Sequence, residues 1–316
     1  MNTKLLKSHL LPTGKKGSLL LSIFMCCFQG NTQDLEPRGY IKIPVNANIL
    51  LSGFGHSHGQ VLTDPNVPLK DFKANVEIIT LGYGRSFSLF GLTSQAVVVL
   101  PLSHAHATAD VNGQLTSVDR TGTADIRDRF SILLLGGKAL SLGEFLKQVK
   151  RTTVLGTSIT IQAPTGEYFP DKLVNLGTNR WAFKPEIALS QPLGKRWLMD
   201  LYSAVWLFTD NDSYFTGNAK RSQHAIGSFQ WHISYNISPF AWAAFNATYY
   251  VGGESTVNDI SNDDKLSNAR VGATLVLPTG KRSGLKIAFS KGVVVARSTN
   301  FTTFSLGWSY SWFKKK

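Results

Sequence analysis

Residues 303–312 alternate without a break. Phe304, Leu306, Trp308, Tyr310 and Trp312 hold the even positions; Thr303, Ser305, Gly307, Ser309 and Ser311 hold the odd ones. Successive side chains of an extended chain point to opposite faces, so this segment has one apolar, aromatic face and one small, polar face. A strand laid over a soluble core can look like this. So can a strand of a transmembrane barrel, which needs about ten residues, apolar outward and polar inward, with aromatics at the membrane interfaces. Recurrence favours the barrel. In 224–237, Ala225, Phe229, Trp231, Ile233, Tyr235 and Ile237 oppose His224, Ser228, Gln230, His232, Ser234 and Asn236. In 180–191, Trp181, Phe183, Ile187 and Leu189 oppose Arg180, Lys184, Glu186 and Ser190. In 269–277, Ala269, Val271, Ala273, Leu275 and Leu277 oppose Arg270 and Thr274. The mean hydropathy of −0.04 conceals this, because apolar and polar residues alternate rather than cluster.

The first thirty residues predict export. Lys4, Lys7, Lys15 and Lys16 form a basic stretch ahead of an apolar run over 18–28, the layout of a secretory signal peptide. Both cysteines, Cys26 and Cys27, fall in it, so the expected mature chain, 31–316, has neither a disulfide framework nor a cysteine-ligated metal. The formal charge of +13 loses four lysines with that segment, leaving +9. The remaining charges are scattered over strands and loops, with no basic helix or RNA-binding aromatic motif. They fit anionic lipid or an anionic solute better than nucleic acid.

Twelve strands are expected, over 45–55, 74–86, 88–101, 123–135, 151–163, 178–191, 196–209, 222–237, 240–251, 267–278, 284–295 and 301–313. The number is even, as in single-chain bacterial barrels. With the N-terminus in the periplasm, the external connections are 56–73, 102–122, 164–177, 210–221, 252–266 and 296–300. Four of the five periplasmic ones, at 87, 192–195, 238–239 and 279–283, are tight turns. The exception, 136–150, has Leu142, Phe145, Leu146 and Val149 at helical spacing; it predicts a short amphipathic helix at the periplasmic rim.

Ala163-Pro164-Thr165-Gly166-Glu167-Tyr168, followed by Leu176-Gly177-Thr178-Asn179-Arg180-Trp181-Ala182-Phe183-Lys184-Pro185, resembles the signature of the outer-membrane proteins grouped as the MetA-pathway of phenol degradation family. Gly122-Thr123-Ala124-Asp125 resembles that family's Gly-x-x-Asp strand opening, and Tyr249-Tyr250-Val251-Gly252-Gly253 its late Tyr-x-x-Gly-Gly. The resemblance spans roughly 70–313. It implies an outer-membrane barrel encoded near genes for aromatic degradation and a role in transport. It supplies no catalytic residue and no cofactor.

Two H-x-H pairs, His56-Ser57-His58 and His104-Ala105-His106, place imidazoles two apart on one strand face, a spacing that suits a shared metal. With no Asp or Glu beside either pair in sequence, they read as solvated histidines at strand tips. Ser103-His104 invites comparison with outer-membrane phospholipases, but sequence neighbours on a strand face opposite ways, and no G-x-S-x-G elbow is present. Gly82-Tyr83-Gly84 lies in a strand with no helix after it, so it is not a phosphate-binding loop.

A charge on the lipid face near the midplane costs a few kcal/mol, so strand parity sends Arg127, Arg129, Arg180, Lys184, Arg270 and Lys286 into the lumen. Asp125, Glu186 and Asp200 point the same way, leaving an excess of about three positive charges. Trp206, Phe208, Trp242 and Tyr250 are the candidate inward aromatics. The expectation is an outer-membrane, all-β barrel of about twelve antiparallel strands that passes small, aromatic or anionic solutes, without cofactor or metal. Its partners are outer-membrane lipid, the solute, and the barrel-assembly machinery through the closing strand. A non-conducting structural or adhesive barrel is the alternative, with an outer-membrane lipid hydrolase behind it.

Overall fold

The computed structural model describes residues 35–60, 69–111, 113–147, 151–215, 218–295 and 300–313. The signal peptide expected over 1–30 and the tail lysines 314–316 lie outside these residues. In chain order the elements are β1 (Ala47–Gln60), β2 (Leu69–Leu89), β3 (Leu92–Val111), β4 (Gln114–Thr123), β5 (Arg127–Leu135), α1 (Leu142–Lys147), β6 (Val154–Gln162), β7 (Ala182–Leu193), β8 (Trp197–Phe208), β9 (Asn211–Tyr214), β10 (Ala219–Gln223), β11 (Ile226–Asn236), β12 (Trp242–Gly252), β13 (Ser255–Val257), β14 (Ile260–Ser261), β15 (Leu266–Pro278), β16 (Ser283–Val295) and β17 (Asn300–Phe313). Twelve of them form one antiparallel barrel in the order β1, β2, β3, β5, β6, β7, β8, β11, β12, β15, β16, β17. The barrel closes where β1 meets β17, with Ala47 opposite Phe313 and Gln60 opposite Asn300. Closure leaves no strand edge in the bilayer, where an unpaired backbone group is costly.

The side chains sort inside out relative to a soluble protein. Ser228, Gln230, His232 and Ser234 on β11, and Asn246 and Thr248 on β12, are buried, while Phe229, Trp231 and Phe245 between them are exposed. On β17 the exposed residues are Phe304, Leu306, Trp308 and Tyr310, and Thr303, Ser309 and Ser311 are buried. The aromatics stack along the outer wall: Trp308 on Tyr310 at 6.2 Å and Tyr310 on Trp312 at 6.0 Å.

Several connections differ from expectation. The first periplasmic turn is at Phe90-Gly91, not at 87. Both residues have positive φ, 51° and 77°, as a two-residue turn of the I′ kind requires. Phe-Gly lacks the usual Asn-Gly or Asp-Gly cue, which is why alternation alone misplaced it. Within the long connections 56–73 and 102–122, residues 56–60, 69–73, 102–111 and 114–122 are strand. β1, β2 and β3 continue past the barrel wall, and β4 folds back on β3 from Val111 opposite Gln114 to Leu102 opposite Thr123. The external connections 210–221 and 252–266 also carry strands: β9, β10, β13 and β14 make a second, four-stranded sheet. The periplasmic helix is α1, shorter than 136–150. Ser141 opens it, accepting from the Glu144 backbone N–H while the Glu144 carboxylate accepts from the Ser141 N–H at 2.8 Å, a reciprocal cap. Phe145 packs against the rim cluster of Ile43, Ala47 and Ile49, as expected; Val149 lies outside the described residues.

Candidate functional site

The barrel interior holds an element that alternation gave no reason to place there. Residues 35–46 turn inward ahead of β1, and Glu36, Pro37, Arg38 and Tyr40 are buried. The chain turns sharply at Arg38, whose φ is +66°. A non-glycine residue in this region costs energy and persists where surrounding contacts hold it. Those contacts come from six strands. The Arg38 N–H donates to Asp200 at 3.0 Å, and its guanidinium donates to Asn236 at 2.9 Å and lies 4.4 Å from the Trp242 ring. The Gly39 N–H donates to the Tyr202 hydroxyl at 2.9 Å. The Tyr40 hydroxyl donates to Glu186 at 2.8 Å and meets Ser158 at 2.6 Å, while its ring lies edge-on to Tyr202. Gly156 makes room for that ring: a Cβ there would fall 2.4 Å from a Tyr40 ring carbon.

Ion pairs surround the segment. Arg129 bridges Glu36 and Glu186 at 3.3 Å each, and Lys184 reaches Glu186 at 3.4 Å. All four groups are nearly inaccessible, a condition charges tolerate only when paired and hydrogen-bonded. Asp200 is buried on β8 and also accepts from Ser190. The helix expected within 136–150 packs at the rim through Phe145, and the segment ahead of β1 is what enters the lumen.

Above this layer, toward the long connections, cations stand over aromatic rings. Arg127 and Lys184 lie 5.9 and 5.3 Å from the Trp206 ring centre, and Arg180 lies 4.4 Å from that of Phe208. Arg127 donates to Gln162 at 3.1 Å, and Arg180 to Gln223. Across the barrel, Arg270 donates to Ser290 at 2.9 Å, with buried Tyr250 on adjacent β12 and Lys286 buried lower on β16. Arg127 and Arg129 on β5, Arg180 just ahead of β7, Lys184 and Glu186 on β7, and Trp206 on β8 thus share one side of the barrel, with Ser158 and Gln162 of β6 between β5 and β7. Arg270, Lys286 and Tyr250 stand apart from it, and Trp242 sits beneath Arg38. The Arg180 Nη1, Gln230 Oε1 and His232 Nε2 atoms are buried inside with no hydrogen-bond partner among the described residues. With Arg38 and Glu36 added, the inward charged residues named here among the described residues are seven basic groups (with Arg127, Arg129, Arg180, Lys184, Arg270, Lys286) and four acids (with Asp125, Glu186, Asp200).

The motif residues of 122–125, 163–168 and 176–185 meet at one spot. Asp125 accepts from the Gly166 N–H at 2.9 Å, the Thr178 N–H at 3.0 Å, the Thr178 hydroxyl at 2.6 Å and Gln162 at 2.9 Å. Gly166 and Gly177 cross backbone to backbone; a Cβ on Gly166 would lie 2.7 Å from the Gly177 Cα. Asp125 is therefore an anchor for the 164–177 connection, not a free acid of the pathway.

The H-x-H residues are on strands, not in loops, and carboxylates do adjoin them, from neighbouring strands. His56 Nδ1 lies 3.7 Å from Glu77, and His106 Nδ1 lies 2.8 Å from Asp119. Ser103 is buried on the inner face and donates to the Glu77 backbone carbonyl at 3.3 Å, whereas His104 is on the outer face.

The family model described as "Putative MetA-pathway of phenol degradation" matches residues 53–311. The chain belongs to this family. An outer membrane channel from Pseudomonas putida superimposes with a TM-score of 0.76 at 21% identity, over 88% of this chain and 100% of that one. Two autotransporter barrels match less well: the beta domain of Bordetella BrkA, with a TM-score of 0.52 at 14% identity over 84% and 100% of the two chains, and the transport unit of Escherichia coli AIDA-I, with 0.51 at 8% over 94% and 97%. No curated protein matches the sequence. As a closed barrel of this phenol-degradation family, with an exposed apolar belt, the protein resides in the outer membrane.

Proposed function

We propose that the barrel gives passage to small aromatic solutes, with preference for those carrying negative charge. The observation that carries this reading is the layer where Arg127 and Lys184 stand over Trp206, and Arg180 over Phe208. A ring flanked by cations offers stacking to an aromatic solute and charge complementarity to a carboxylate or phenolate. Basic groups in a narrow lumen with low-dielectric walls favour anions. The family's phenol-degradation description supports the aromatic part, and the Pseudomonas putida channel supports conduction. Opposite-face placement of Ser103 and His104 supports a channel over a hydrolase. Lipid contacts the apolar belt, and the assembly machinery engages β17.

The N-terminal segment across the lumen favours a second reading, a barrel that does not conduct. Planar-bilayer recording under a salt gradient separates the two. A reversal potential of anion-selective sign, shrinking in an Arg180→Ser, Lys184→Ser variant, is the expected result. Cation selectivity in the native protein, or no conductance with any aromatic anion present, overturns the first reading.

A further inference from the structure

Above the apolar belt, β1 to β4 continue side by side, and their register brings separated polar residues into two outward rows. In the first, His56 is opposite Glu77, Glu77 opposite His104, and His104 opposite Thr121. In the second, His58 is opposite Asn75, Asn75 opposite His106, and His106 opposite Asp119. Ser57, Ala105 and Ala107 between them are buried, so the imidazoles face outward, directly above exposed Phe54, Ile79 and Leu102. Directly opposed residues of paired strands have Cβ atoms about 5 Å apart.

We propose that this face carries a site for a divalent transition-metal ion such as Zn2+, with His104, His106 and Asp119 as ligands. Imidazole nitrogen and carboxylate oxygen are the donors such an ion takes outside thiolate sites. His104 and His106 are two apart on β3 and share a face. His104 Nε2 lies 3.8 Å from Asp119 Oδ1. Bonds of about 2.0–2.2 Å to a tetrahedral ion put neighbouring donors about 3.4 Å apart, so little movement brings this pair to one ion. His104 Nδ1 is 2.7 Å from the Thr121 hydroxyl. With the Nδ1 proton donated there, the Nε2 lone pair is free on the Asp119 side, the way a ligating histidine is oriented from its far nitrogen. The 2.8 Å hydrogen bond between His106 and Asp119 is the contact an ion must replace. No three His, Cys, Asp or Glu side chains among the described residues form a ready-made cage; rotation of His106 on its fixed backbone completes the set, leaving one position open to water. The consequence is mechanical. β4 pairs only with β3 in the described sheet, so an ion there ties an edge strand to the wall.

The test uses the full-length mature protein, without a polyhistidine tag, in detergent. Zn2+ is titrated by calorimetry, and Co2+ by its visible ligand-field absorption. One ion per chain is expected, with affinity at least about tenfold weaker in Asp119→Asn and about tenfold weaker in Thr121→Val. A His104→Ala, His106→Ala variant should not bind, and His224→Ala should bind as the native protein does. Heat-modifiable migration checks that each variant is folded; should the double histidine variant fail to fold, Asp119→Asn and Thr121→Val decide. Absence of saturable Zn2+ binding, or binding unchanged in Asp119→Asn and Thr121→Val, overturns the proposal.

Discussion

Replacing Tyr40 with alanine should release the lumen segment. The ring is 1% exposed, lies 5.2 Å from Tyr202 centre to centre, and has the Arg129 guanidinium 4.7 Å from its own centre. Truncating a buried aromatic to alanine costs about 3–5 kcal/mol, and the lost hydrogen bond to the Glu186 carboxylate falls within the part that belongs to polar anchoring, about 1.5–3 kcal/mol. If the whole loss acts on docking, the undocked fraction rises by roughly 10²- to 4 × 10³-fold, since each 1.4 kcal/mol is tenfold. Arg38 and Glu36 still hold the chain at Asp200 and Arg129, so the segment is loosened rather than removed. Single-channel recording in planar bilayers should show longer or larger openings in Tyr40→Ala than in the native protein. Tyr40→Phe keeps the ring and drops the hydroxyl, so its effect should be smaller. A folded, heat-modifiable Tyr40→Ala barrel whose current trace matches the native one would refute the argument that this segment restricts the lumen.

On β17, Leu306→Arg puts a charge on the outward face and should lower folded yield in vesicles by an amount equivalent to about 2–4 kcal/mol near the midplane; Ser309→Arg points inward and should assemble far better, and equal yields would reject the register. Asp125→Asn turns one acceptor of the motif anchor into a donor facing other donors, at a cost of about 1–3 kcal/mol, and should speed proteolysis within 164–177 without changing heat-modifiability. Hydrogen bonds from Ser141 hold the Glu144 carboxyl below its usual range. A depressed carboxylate stabilises above its ordinary pKa and loses that contribution as pH falls through the lowered value, so amide-exchange protection of α1 should be constant near neutrality and fall in strong acid; protection that rises on acidification would contradict the cap.

Alternation along single strands was enough to give the barrel. In a bilayer each strand must show lipid an apolar face and the lumen a polar one, so Trp231 and His232, or Trp308 and Ser309, declare their sides without reference to any other residue. The same logic gave the inward direction of Arg129, Lys184 and Glu186, and the tight turns around 192–195 and 238–239. It failed where the information is not local. The run Glu36-Pro37-Arg38-Gly39-Tyr40 has no strand periodicity; its place in the lumen depends on Arg129, Ser158, Glu186, Asp200, Tyr202 and Asn236, which converge only once the barrel has closed. Asp125 looked like a pathway acid until the fold set Gly166 and Thr178 beside it. The H-x-H pairs lacked carboxylates because Glu77 and Asp119 are neighbours across strands, not along them. Parity is a property of one strand and can be read residue by residue, whereas register and lumen filling are properties of strands in pairs and of the closed ring, so they existed only after the chain had folded.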